Sequence, residues 1–312
     1  MENTVVTAFF DINRKDMGLD GNRRGFEEYL KYFDFWARLQ NNLIIYTQSI
    51  FVQDIMAVRK KYGLEDSTQF VVIDDYCAIE SEIYNKMNKI EQDGIWKQWR
   101  LNINAMSNVA RYDYVMFLKY WTINDAKTRF NLSGIISWID FGFNHLNACY
   151  AVSEEFSFYW EPELYKGKVC IFSLFDPDCT DSIKALFTQQ DCILGPIFYM
   201  DADCAEQLYL IMRRVLEALL MIGIIDDDQG VLLLAYKNKP ELFSVRRSTW
   251  FMPLKENGAS HLTVLEKKAP KKRIITELKS IGSNIKHIIC KDYSRPLVKD
   301  YIKRLLVLLG EK

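Results

Sequence analysis

Four groups of acidic residues offer chemistry in this sequence: Asp74-Asp75, Asp140, Asp201 with Asp203, and Asp226-Asp227-Asp228. Each follows an apolar run. An acid where a buried strand ends is placed to hold a metal ion or, through one, a ligand's phosphates, because ligands of open α/β sheets gather at the carboxyl ends of strands. Asp140 is the most suggestive. It closes the run Ile135–Ile139 around Trp138, and Gly142 just beyond it permits close backbone approach. The bland alternative is an aspartate that caps the next turn, and residue type alone does not separate the two. Asp201 and Asp203 have the spacing at which two carboxylates chelate a divalent cation bound to a diphosphate, yet Asp203 equally suits a cap for the helix from Cys204. Capping and the helix dipole explain one or two of the acids at 226–228, not all three. Lys119, inside the helical stretch Tyr114–Phe130, reads from its neighbours as an exposed helix lysine.

Several commoner chemistries are excluded. No G-x-G-x-x-G follows the first strand, and no phosphate loop of the form G-x-x-x-x-G-K-[ST] and no G-x-S-x-G elbow occur. Three histidines, His145, His261 and His287, are too few for a multi-histidine metal site, and each reads first as a surface or capping residue. His145 is the most interesting by position. The seven cysteines form no C-x-x-C pair and sit in apolar segments, which suits reduced, packed thiols rather than zinc. What remains is a nucleotide-binding sheet with acids at strand ends: the anatomy of a metal-assisted transfer from a nucleoside diphosphate. There a cation neutralises the leaving diphosphate while a separate carboxylate deprotonates the incoming hydroxyl.

The elements that must position these groups follow from periodicity. Thr4–Ile12, Asn42–Thr47 and Gln69–Ile73 read as strands, separated by amphipathic helices over Phe26–Leu39 and Phe51–Tyr62. Strand, helix, strand, helix, strand at this pitch implies a parallel, Rossmann-like half. Residues 78–130 read as mostly helical. Beyond Asp140, Phe156–Trp160 and Lys168–Leu174 alternate like antiparallel strands, Cys192–Met200 is an apolar strand with a Gly-Pro break, and Cys204–Ile222 and Gln229–Tyr236 are helices before a last strand at Pro240–Val245.

With 312 residues, 49% of them apolar, the chain can bury a large core. The longest apolar stretch, Val215–Ile225, is too short to span a bilayer, and no leader-like start is visible, so a cytosolic protein is expected. Net charge is −1, but residues 255–312 carry 14 Lys and Arg against 6 Asp and Glu. This basic end, with Lys267-Lys268, Lys271-Lys272-Arg273 and an amphipathic pattern over Leu297–Leu309, reads as a helical appendage (255–312) to a catalytic domain (1–254). Its aromatics are sparse, so a nucleic-acid partner is not expected.

On the residues Thr4–Arg14, Phe117-Leu-Lys119 with Ala126, Trp138-Ile-Asp-Phe-Gly142 with His145, Gly195, Asp227-Asp-Gln229 and Pro240-Glu-Leu-Phe243, the chain resembles the bacterial WlaTC/HtrL (YibB-like) family of glycosyltransferases. That resemblance implies a GT-A-type α/β fold, a mixed, mostly parallel sheet flanked by helices. A nucleotide-sugar half at about 1–145 would be followed by an acceptor half at about 146–254. It implies transfer of a sugar, galactose in pyranose or furanose form, from a UDP-sugar to a glycan or lipid-linked glycan acceptor in lipopolysaccharide, O-antigen or capsule assembly. Thr7, Ala8, Phe9, Arg14 and Thr47 would line the nucleotide site, Lys119 would approach the diphosphate, and Asp227 or Asp228 would be the general base of an inverting reaction. Asp140 would bind Mn²⁺ or Mg²⁺; because Gly142 stands where the wider GT-A pattern has a second acid, a histidine such as His145 or His287 would have to help. The same resemblance gives the basic segment 267–312 a role in peripheral contact with anionic lipid at the inner face of the cytoplasmic membrane. The rivals are a metal-dependent nucleotidyl- or phosphotransferase using Asp201 and Asp203, and a non-catalytic scaffold of a glycan-assembly complex.

Overall fold

The structure is a computed structural model, and it describes residues 2–16, 24–100 and 109–265. His287 and the basic segment 267–312, to which sequence assigns roles, lie outside the described residues.

A mixed seven-stranded sheet runs through the molecule in the order β3-β2-β1-β4-β6-β5-β7. The strands are β1 (Asn3–Phe9), β2 (Leu43–Thr47), β3 (Thr68–Val72), β4 (Ile135–Ile139), β5 (Val169–Ser173), β6 (Ile197–Asp201) and β7 (Phe243–Arg247). β1 pairs in parallel with β2 and β4, and β2 with β3, so the first half is the expected Rossmann-like arrangement. Only β6 is reversed, pairing antiparallel with both β4 and β5, while β5 and β7 run parallel. The carboxyl ends of the other six strands therefore share one edge.

Alternation of side chains divides the core. Val6, Ile44, Ile136 and Trp138 face one side, with α3 (Ser81–Asp93), α4 (Ala110–Arg129), α6 (Ala205–Met221) and α7 (Asp228–Asn238). Val5, Ile45, Ile135 and Ile139 face the other, with α1 (Phe26–Trp36) and α2 (Val52–Lys61). Two short helices, α5 (Ser182–Thr188) and α8 (Pro253–Glu256), complete the set. Phe156–Trp160 is not a strand: Ser153–Phe156 is a 3-10 turn, and the chain then lies across the sheet with Phe156 and Trp160 buried. The apolar alternation there marks side chains anchored in the core, not a ladder. Residues 255–265 pack on the same body, with Ala259 and Leu262 buried and Val264 bridging to Tyr150.

One buried cation fixes the helix layer to the sheet's start. Arg59 of α2, with 0% exposure, donates to the carbonyls of Ala37 and Leu39 at 2.7 Å each and to Thr68 Oγ1 at 2.7 Å. It meets no carboxylate among the described residues, and burial lowers its pKa to about 10. Among the described residues no helix is long and apolar enough to cross a membrane.

Candidate functional site

β1 and β4 are neighbours and end at the same edge, so the segment after Phe9 and the turn after Ile139 face each other. They border a cleft of about 170 Å³ that Arg14, Arg24, Tyr29, Tyr112, Asp140 and His145 also line. Strand ends leave backbone groups and side chains free to meet a ligand, which is why clefts of this kind form binding sites in such sheets.

At the floor of this edge lies Lys119. α4 packs against β1, β4, α3, α6 and α7, so no side of its middle turns faces water, and Lys119 is 1% exposed. This corrects the expectation of an exposed helix lysine. Its ammonium donates to Asp228 Oδ2 at 2.7 Å, Asp140 Oδ1 at 3.3 Å and the Gly195 carbonyl at 3.3 Å. It also lies 5.5 Å from the centre of the Trp138 ring, whose Nε1 donates to Asp140 Oδ1 at 2.6 Å. Four elements thus converge on one charge. Burial opposes that charge, but Asp140 and Asp228 together outweigh it, and Lys119 stays protonated with a raised pKa. Asp228 is pushed to about 6, chiefly by burial, against the pull of Lys119 and with the help of Asp227 and Asp140.

The three successive acids have three different partners, which accounts for their number. Asp226, 5% exposed, pairs with the buried Arg100 at 3.0 Å, and burial followed by Asp227 raises it to about 7. Asp227 caps α7, accepting from Gln229 N at 3.1 Å and Gly230 N at 3.4 Å. Asp228 reaches Lys119 of α4, which packs against α7 on the same face of the sheet. Gly195 makes that reach possible: a Cβ there would stand 2.3 Å from Asp228 Oδ2. Gly230 similarly leaves room for Asp226. From α4, Asp113 faces Asp226, Asp227 and Arg100; burial holds its pKa well above the carboxylate range, and neither oxygen has a hydrogen-bond partner among the described residues.

The other expected residues divide. Ala8, Phe9 and Arg14 border the cleft. Arg14 donates to Tyr29 OH at 2.6 Å and lies 5.8 Å from the Tyr112 ring. Thr7 and Thr47 are fully buried within the sheet and do not line the cleft; Thr47 Oγ1 donates to the Phe9 carbonyl at 2.9 Å, holding the ends of β1 and β2 together. His145 lines the cleft opposite Asp140, its ring edge-on to Phe251 at 5.3 Å. Burial, then Arg24, lowers its pKa, so the imidazole is neutral at pH 7. Its loop is pinned by Asn144, whose Oδ1 accepts from both Cys149 N and Tyr150 N at 2.9 Å. Asp201 and Asp203 sit at the opposite end of the sheet, because β6 is reversed and Asp201 pairs with Ile135 at the start of β4. Asp201 there caps a turn and accepts from Gly167 N at 2.8 Å. Asp74 accepts from Ser49 N and Oγ.

Asp140 and His145 offer one carboxylate and one neutral imidazole on the same cleft, and among the described residues no three His, Cys, Asp or Glu converge as a metal cage. This donor set fits a divalent cation that takes its remaining ligands from a diphosphate. The sequence reading missed Arg24, Tyr29 and Tyr112, because an arginine outside any element and tyrosines at apolar helix positions look like ordinary surface and core.

A family model described as a bacterial protein of unknown function, HtrL_YibB, matches residues 1–255. The chain is similar to Protein HtrL of Escherichia coli (strain K12), with 25% identity over 272 residues that make up 80% of this chain and 90% of that protein. Among solved structures it is similar to the apo crystal structure of mouse xyloside xylosyltransferase 1, with 12% identity and a TM-score of 0.42 over 84% of this chain and 92% of that one.

Proposed function

The chain belongs to the HtrL_YibB family of bacterial proteins, and from that membership and the chemistry of its cleft we propose that it is a glycosyltransferase using a nucleotide sugar. The observation that carries this reading is a strand-end cleft lined by Arg14, Arg24 and Asp140, with the buried Lys119 behind it pairing with both Asp140 and Asp228. Cations gathered at a strand-end cleft suit a diphosphate, and two acids beside them suit the reacting sugar. The donor is a UDP-sugar carrying galactose, and the acceptor is a glycan or lipid-linked glycan of the bacterial envelope.

In this reading Arg14 and Arg24 meet the phosphates while Tyr29 and Tyr112 wall the cleft. The acceptor hydroxyl attacks the anomeric carbon, the bond from that carbon to the diphosphate oxygen breaks with its electron pair, and the hydroxyl proton passes to a carboxylate. Asp228 is better suited to that role than Asp227, since a pKa near 6 lets it take a proton close to neutral pH. Asp140 and His145 would hold Mn²⁺ or Mg²⁺, which when bound offsets negative charge on the leaving diphosphate.

A thermal-shift screen of nucleotide sugars with and without Mn²⁺ tests the donor, followed by identification of the products. Selective stabilisation by UDP compounds and release of UDP support the proposal, whereas release of UMP or pyrophosphate would point to nucleotidyl or phosphoryl transfer. Retained function in a double Asp227→Asn, Asp228→Asn variant would point to a scaffold.

A further inference from the structure

A second pocket, of about 140 Å³, opens between α5 and the start of α7 and shares no lining residue with the Arg14 cleft. Gln189, Gln190, Asp191, Asp226, Asp227 and Gln229 supply most of its polar lining. No sequence motif pointed to it, because α5 and the turn after it carry no periodic signal. The pocket nevertheless shares Asp227 with the helix start that presents Asp228 to Lys119.

Its groups are unequally committed. Asp226 is paired with Arg100, and Asp227 caps α7. Asp191 is exposed at the pocket wall and has no hydrogen bond or ion pair among the described residues. Gln229 contributes a buried side-chain oxygen with no hydrogen-bond partner among the described residues. A buried acceptor left unpaired beside a polar cavity calls for a hydrogen-bond donor. Among the described residues the lining acids form no group of three that could hold a metal ion. Amides and carboxylates alternating around a small polar cavity match vicinal hydroxyls, since each amide offers donor and acceptor and each carboxylate accepts.

We infer that this pocket is a saccharide subsite, holding a pyranose or furanose ring of the acceptor glycan with Asp191 and Gln229 accepting from its hydroxyls. The inference rests on the glycosyltransferase reading only for the word acceptor; the binding of a sugar ring there stands by itself. A site built to pair hydroxyls loses most of its binding when one partner is removed.

The test is ligand-observed saturation-transfer NMR on the full-length protein with a panel of methyl hexosides as probes, in the presence and absence of saturating UDP. The expected result is saturation transfer to at least one methyl hexoside that persists with UDP bound. Asp191→Asn and Gln229→Leu should each weaken it about tenfold, the loss of roughly one hydrogen bond. UDP binding should change by less than about twofold, because neither residue lines the Arg14 cleft. No transfer from any member of the panel, displacement of the hexoside by UDP alone, or unchanged affinity in both variants would each overturn the inference. Hexoside binding without any UDP binding would uphold the subsite while sinking the donor reading.

Discussion

Lys119 ties α4 to three other parts of the fold. Its partners come from the end of β4, the turn before β6 and α7, and its removal leaves the buried Asp228 without its cation and with Asp140 nearby. Breaking a buried pair by deleting one partner costs about 3–5 kcal/mol. Lys119→Met is therefore expected to lose about that much in urea unfolding and to abolish donor turnover, and a variant of undiminished stability would show that the acids do not depend on it. The same burial sets a pH dependence. Asp226 and Asp228 have folded pKa values of about 7 and 6 against an ordinary 3.8. The folded state thus holds protons that the unfolded chain has released between those values. The associated stability is complete below pH 3.8 and is lost as pH rises through 6 to 7, at up to about 1.4 kcal/mol per pH unit for each proton. Stability measured by urea unfolding should fall from pH 5 to pH 8, and Asp226→Asn should flatten that fall even though losing the Arg100 partner lowers the whole curve. Activity should run the other way if Asp228 is the base, with kcat rising through about pH 6.

At the scale of elements, the first half was legible because its pattern is local: β-branched runs separated by amphipathic helices can fold into little else than a parallel unit. The second half depends on register and direction, which single segments do not encode. The reversal of β6 carries Asp201 and Asp203 away from the cleft, so the spacing that suggested chelation ends as a turn cap. α4 hides Lys119 for a related reason, since a helix packed on every side has no polar face to betray which of its charges is inside. Asp140 was legible because a strand end is marked by the residues next to it. Gly195 read from sequence as part of a Gly-Pro break in a strand, and its place explains its size: the turn into β6 passes so close to α7 that only a hydrogen leaves space for Asp228. Gly195→Ala should push the Asp228 carboxylate off Lys119. The expected outcome is a fall in turnover of tenfold or more with a stability loss of about 1–3 kcal/mol, the usual range for overpacking, checked by steady-state kinetics and denaturation on the same preparation. Full activity would mean that the Lys119–Asp228 contact is dispensable to catalysis.

At the scale of the whole molecule, charge is the uneven quantity. The family match ends at residue 255, and the described body ends ten residues later with Leu265 donating to the Cys149 carbonyl. Lys and Arg concentrate beyond that point, in Lys267-Lys268, Lys271-Lys272-Arg273 and the alternating pattern of the last stretch, while the rest of the chain is acidic. Two regions of opposite sign in one chain would be expected to seek each other unless a stronger anionic surface competes, and the proposed lipid-linked acceptor would bring the chain to such a surface. Each Lys or Arg near an anionic membrane contributes about 1 kcal/mol, with a reach limited to the Debye length. The full chain should therefore co-sediment with vesicles containing anionic lipid and not with neutral ones, and should be released as salt rises. Replacing Lys271, Lys272 and Arg273 by Gln should cost about 3 kcal/mol, roughly a hundredfold in partitioning. Equal binding to neutral vesicles would assign the contact to apolar burial, and no binding to either would leave the basic segment to a different anionic partner.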